Sequence, residues 1–277
     1  QTMLDPADCG PACISLCQDI QGQTFDYPED FFKERIHSIR RPRPDDFQIK
    51  EAAEKIKKSK KPIIISGGGV FYSNAMEELS NFAIKHNIPV TQTVMGYSTM
   101  KRDHTHYAGQ IGGLGGKNTN NLAKETDLAI AVGTKLADFT TGSWANFENE
   151  NFNLLSINVS RFDANKHLAQ AVVGDAKVSL IELSKALGDW KASDEWNKKS
   201  QRELKIWNEH IDKESAPTNQ EVPSYIQVIG AIYRNSDPTD IAVTAAGGLV
   251  GEVVQVWRPK ELNTHESEWG FSCMSYE

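Results

Sequence analysis

The run Pro62-Ile63-Ile64-Ile65-Ser66-Gly67-Gly68-Gly69 decides the fold class. It is apolar without interruption and then broken by glycine. A strand with one wet face would alternate apolar and polar residues, so this run reads as a strand buried on both faces, followed by a tight turn. Working outward, residues 47–59 carry a helical period and 74–86 another. Further strands are expected at 89–94, 128–134, 154–159 and 171–173, with helices near 118–126 and 176–187. Strands that alternate with helices at this spacing predict an α/β domain, a doubly wound parallel sheet, over residues 44–188.

The flanks read differently. Residues 12–20 are apolar and predict a short strand in which Cys13 and Cys17 share a buried face; with residues 1–27 as a whole it looks like the end of a domain whose body lies upstream. Residues 28–43, rich in Pro, Arg and Asp, form a linker, because closely spaced prolines deny a helix its hydrogen bonds. Residues 189–220 predict a polar connecting helix. A new unit starts at 221–277, with a helix at 224–234 and a strand at 240–244 that ends in Ala245-Ala246-Gly247-Gly248. Fifty-odd residues are too few for a domain, so further sequence is expected before residue 1 and after residue 277.

Composition narrows the partners. The 277 residues carry a formal net charge of −7, which argues against a nucleic-acid surface, and no apolar run is long enough to cross a bilayer. A small-molecule substrate and a cytoplasmic location are expected. Cys9, Cys13 and Cys17 have four-residue spacing, but no Cys-x-x-Cys or neighbouring His completes a ligand set, so they are expected to act as small core hydrophobes. Gly67-Gly68-Gly69 and Gly112-Gly113-Leu114-Gly115-Gly116 suit either phosphate binding or tight turns, and neither completes a dinucleotide fingerprint. His104, His106, His167 and His210 read as structural or surface residues. His265, flanked by Glu266 and Glu268, is the candidate for a pocket or catalytic role.

Stretches in three regions resemble thiamine diphosphate-dependent enzymes of the acetolactate synthase type, whose chains hold a pyrimidine-binding, a central and a pyrophosphate-binding domain. Residues 5–21 resemble the end of the first, with Cys17 where the family has proline. Lys61 to Gly69 resembles the first strand of the central domain, and Val132-Gly133-Thr134-Lys135-Leu136-Ala137-Asp138-Phe139-Thr140-Thr141-Gly142 its Gly-x-Arg-Phe-Asp-Asp-Arg-x-Thr-Gly loop. Both arginines are replaced there, by Lys135 and Phe139, so FAD is not expected. The third stretch is Glu268-Trp269-Gly270-Phe271-Ser272-Cys273-Met274-Ser275-Tyr276-Glu277, which with Thr244 to Leu249 and Trp257-Arg258-Pro259 is similar to the inositol-catabolic branch, hydrolases of a cyclic 1,2-dione. Ser275 replaces a glycine of that signature.

The resemblance implies thiamine diphosphate and Mg²⁺ as cofactors. It puts Ala245, Ala246, Gly247 and Gly248 beside the diphosphate, and Gly270, Phe271, Ser272 and Met274 in the coenzyme loop, Met274 wedged under the bent coenzyme. His265 would contact substrate or diphosphate. The activating glutamate is expected upstream of Gln1 and the metal ligands downstream of Glu277, leaving the isolated chain inactive, and the intact protein is expected to be a homodimer or homotetramer. Two other functions stay open: a 2-oxo-acid carboligase such as acetolactate synthase, and a non-catalytic nucleotide-binding α/β module.

Overall fold

The computed structural model describes residues 2–268, 270 and 273–276. Its centre is a six-stranded sheet built from β1 (Pro62–Ser66), β2 (Val90–Gln92), β3 (Tyr107–Gln110), β4 (Leu128–Val132), β5 (Asn153–Asn158) and β6 (Gln170–Val173), in the order β3-β2-β1-β4-β5-β6. Every pairing is parallel, and β1 meets β4 in unbroken register from Pro62–Leu128 to Ser66–Val132. Chain order reverses at β1, so the two halves wind in opposite senses and leave a crevice at the carboxyl ends of β1 and β4.

Both faces of the sheet are covered, which is why its strands are apolar without alternation. Ile64, Ile130 and Val132 turn to one layer, against α1 (Asp46–Lys58), α2 (Met76–His86) and α4 (Ala176–Leu187); Ile56, Phe82 and Leu183 come from these helices. Ile63, Ile65, Ala129 and Ala131 turn to the other, against α3 (Lys117–Glu125) and α5 (Asp194–Glu214), which contribute Leu122 and Trp196. The indole Nε1 of Trp196 donates to Pro62 O at 2.8 Å, fixing α5 to the first residue of β1. Helix starts are capped by Asp45, Asp175 and Ser193 side chains, each accepting from a backbone amide of the first turn. Asn87, with φ of 54°, ends α2 in the left-handed conformation that Asn tolerates.

Beyond α5 the chain forms α6 (Tyr225–Asn235), β7 (Ala242–Thr244), α7 (Leu249–Val256) and β8 (His265–Ser267), with β7 and β8 in a separate parallel pair. Ser224 and Gln227 form a capping box at α6. Ile211, Ile229, Tyr233, Val253 and Trp257 make a small second core, while Val250 and Val254 of α7 pack on Val94 of the central domain. Arg102 reinforces this seam: its amide donates to Pro259 O at 2.8 Å and its guanidinium to the Tyr233 hydroxyl at 2.5 Å.

Two expectations fail. Residues 12–20 do not form a strand: 11–17 adopt no regular secondary structure, Gln18–Gln21 is a single helical turn, and no ladder among the described residues pairs with them. Consequently Cys9, Cys13 and Cys17 are exposed rather than buried. An apolar stretch becomes a strand only when a neighbouring backbone takes up its N–H and C=O groups, and none is at hand. Within residues 28–43, expected to be a linker, Arg41 pairs with the buried Asp175 at 3.0 Å.

Candidate functional site

Two features of the structure lie at the carboxyl ends of strands, where open α/β sheets place their ligands. The first is a turn between β7 and α7. Thr244 and Ala245 are buried, and the chain then runs through Ala246, Gly247 and Gly248 into the first turn of α7. Gly247 has φ of 137°, outside the range of ordinary side chains, and a Cβ added to Gly247 or Gly248 would meet nothing within 4 Å. The backbone therefore borders open space, next to the unpaired amides of a helix start.

Pairing of β7 with β8 brings the C-terminal residues to the same place. Ala242 N donates to Thr264 O at 3.0 Å, Glu268 N to Thr244 O at 3.3 Å, and Ala246 N to Cys273 O at 3.4 Å. The Glu268 carboxylate accepts from Cys273 N at 2.6 Å and folds the loop back. Met274, one residue on, is 79% exposed, an apolar side chain with almost no protein contact of its own. Gly270 is exposed on the same loop, while Phe271 and Ser272 lie outside the described residues. Ala245 to Gly248 and the segment around Met274 are thus assembled side by side, although some 26 residues separate them in the chain.

His265 stands in β8, its ring edge-on to Tyr97 with centroids 5.1 Å apart. Its Nε2 is shielded from solvent without a hydrogen-bond partner among the described residues, and burial lowers its pKa to about 4, so the imidazole is neutral near pH 7. Neighbours along a strand face opposite ways: Glu266 is exposed, and Glu268 is engaged by Cys273 N. His265 does line a cavity of about 400 Å³ with Tyr72, Met95, Tyr97 and Ser267. The other buried histidines are structural: His106 bonds Asn87 Oδ1 and Thr105 Oγ1, and His86 donates to Trp190 O at 2.7 Å.

The second feature is a cavity of about 580 Å³ in the crevice between β1 and β4, which the sequence did not reveal. Gly68 and Gly69 follow β1, Gly133 to Lys135 follow β4, Asn158 ends β5 with Val159 and Ser160 just beyond it, and Val94 and Met95 close one side. Here the glycines answer a question the sequence left open. A Cβ on Gly67 would lie 2.5 Å from Thr134 Cβ, and one on Gly69 would lie 2.6 Å from Gly133 Cα. They are glycines because the turns after β1 and β4 touch backbone to backbone. Among the described residues, no group of three His, Cys, Asp or Glu side chains is placed to hold a metal ion, and no helix is long and apolar enough to cross a membrane.

Comparison with known proteins agrees with this architecture. Residues 49–183 match the family model described as "Thiamine pyrophosphate enzyme, central domain". Among curated proteins, the chain is 39% identical over 303 residues to the 3D-(3,5/4)-trihydroxycyclohexane-1,2-dione hydrolase of Clostridium tetani, covering all of this chain and 47% of that protein. It is 37% identical to the proteins of the same name from Clostridium perfringens strain 13 and Geobacillus thermodenitrificans, covering all of this chain and 47% and 46% of theirs. The chain spans about half the length of the curated relatives it matches.

Proposed function

We propose, from the match of residues 49–183 to the thiamine pyrophosphate enzyme central domain and from the similar hydrolases, that the intact protein is a thiamine diphosphate-dependent hydrolase that opens a carbon–carbon bond of trihydroxycyclohexane-1,2-dione, giving 5-deoxy-glucuronate in myo-inositol degradation. The observation that carries the reading is the assembly of the open Gly247–Gly248 backbone beside Met274. Residues 1–27 then end a pyrimidine-binding domain, 28–43 link it to the central domain, 189–220 connect onward, and 221–277 begin the pyrophosphate-binding domain.

The residues present fit the coenzyme. Gly248 and the first amides of α7 offer hydrogen-bond donors to the diphosphate, and the lack of a Cβ at Gly247 and Gly248 lets phosphate oxygens approach the main chain. The exposed thioether of Met274 is free to support an aromatic ring without competing hydrogen bonds. When bound, the coenzyme supplies a carbon nucleophile and an electron sink for breaking a bond beside a carbonyl. His265, neutral and held by Tyr97, presents a hydrogen-bonding nitrogen rather than a charge to whatever reaches it. Mg²⁺ and the activating glutamate belong to segments outside this chain, which by itself would not turn over. The parent would act on a small molecule in the cytoplasm as a homodimer or homotetramer, without FAD, nucleic acid or membrane.

The test uses full-length protein carrying this sequence, supplied with thiamine diphosphate and Mg²⁺. Formation of an open-chain acid from the cyclic dione supports the reading. Acetolactate from pyruvate, with no dione hydrolysis, would assign the carboligase activity instead.

A further inference from the structure

The crevice between β1 and β4 is as large as many small-molecule sites, yet its chemistry is unlike that of a phosphate cradle. Backbone amides that would point at phosphate oxygens are already bonded within the protein: Gly67 N donates to Val132 O at 2.9 Å, Gly69 N to Gly133 O at 2.8 Å, and Gly133 N to Ile157 O at 2.8 Å. The second glycine cluster behaves likewise, with Gly113 N donating to Phe139 O at 2.7 Å and Gly116 N to Gln110 O at 3.0 Å.

What the walls do offer is apolar surface and one available positive charge. Val94, Met95, Ile111, Leu114 and Val159 line the cavity, and Lys135 borders it without an ion pair among the described residues. The cavity's carboxylate, Asp163, is held by Lys166 at 2.6 Å and does not neutralise Lys135. The Thr134 and Ser160 hydroxyl oxygens accept from Leu136 N and Asp163 N, which leaves their O–H groups free to donate. A buried apolar body with a single anionic head satisfies the apolar walls, the Lys135 charge and the two hydroxyls together.

We propose that this crevice binds a small organic monoanion, an aliphatic or aromatic carboxylate whose head meets Lys135 and whose body fills the space between Met95 and Val159. Cys9 and Gly270 both line the cavity, so a seated ligand should shield the Cys9 thiol.

The experiment titrates the full chain with octanoate by calorimetry and follows alkylation of Cys9 by mass spectrometry. One octanoate per chain is expected, with slower Cys9 labelling and no displacement by ADP. Lys135→Met, which keeps the aliphatic stem, should weaken binding tenfold or more. Ala137→Trp, at an exposed lining position, should abolish it by filling the space. Both variants should melt with the unaltered chain. Absence of saturable octanoate binding, binding insensitive to both variants, or tighter binding of ADP in competition with octanoate would overturn the proposal.

Discussion

The same substitution at two glycines should have opposite consequences. At Gly67 a Cβ falls 2.5 Å from Thr134 Cβ and 2.8 Å from Thr134 Cα, roughly an ångström inside ordinary contact. Neither strand can move aside, because β1 and β4 are registered over five consecutive pairs. Overpacking of this kind costs about 1–3 kcal/mol, and the upper end is expected since the obstacle is backbone. For a domain of this size that lowers the melting temperature by roughly 5–10 °C. At Gly248 the backbone is right-handed helical, with φ of −65° and ψ of −30°, and the added methyl meets nothing. Gly248→Ala should therefore leave stability unchanged or raise it by about 0.4–1 kcal/mol, through a less flexible unfolded chain. Yet it should weaken thiamine diphosphate binding by the full-length protein by about 1–3 kcal/mol, roughly 5–150-fold, because the methyl occupies the space a phosphate must enter. Differential scanning calorimetry reads the first effect and titration calorimetry the second. If Gly248→Ala binds the coenzyme as tightly as the unaltered protein, the reasoning about the open backbone is refuted.

Ile64→Ala, in the middle of the central strand and fully buried, should destabilise by about 2–5 kcal/mol in urea titrations. Trp196→Phe retains most of the apolar area but loses the 2.8 Å bond to Pro62 O, and should cost about 1 kcal/mol by the same assay. Acid should weaken the fold. Burial lowers His106 to about 4 and lowers His104 and His86 as well, while unfolded histidine protonates near 6.5. The unfolded chain thus takes up these protons first, so stability is complete above about pH 6.5 and falls as pH drops toward 4, and the loss should be smaller in His106→Gln when melting is followed across that range.

How much the sequence disclosed depends on where each element gets its partners. β1, β4 and β5 were legible because a strand covered on both faces must be apolar throughout, and Ile63-Ile64-Ile65 has no other reading as exposed surface. Helices α1 and α4 were legible from the helical stretches at 47–59 and 176–187, whereas their Asp45 and Asp175 caps emerged only from the structure. β3 was not: Tyr107-Ala108-Gly109-Gln110 is short, includes Gly109 at φ of 99°, and buries a glutamine, so its existence depends on pairing with β2 rather than on its own composition. The reverse error at 12–20 has the same origin, apolar residues without a ladder. For the site, the small residues at 245–248 and Met274 could be named from the chain, but their proximity arises from the β7–β8 register. The His265 environment could not be foreseen, since Tyr97 comes from a loop some 168 residues earlier. The crevice beside Lys135 is likewise a product of the strand order.

The central claim is that the turn after β7 and the loop around Met274 form one half of a coenzyme site. The direct measurement is titration of full-length protein carrying this sequence with thiamine diphosphate in the presence of Mg²⁺, followed by calorimetry. Saturable uptake near one coenzyme per chain, weakened by Gly248→Ala, is the predicted result; a folded full-length protein that takes up no coenzyme would contradict it.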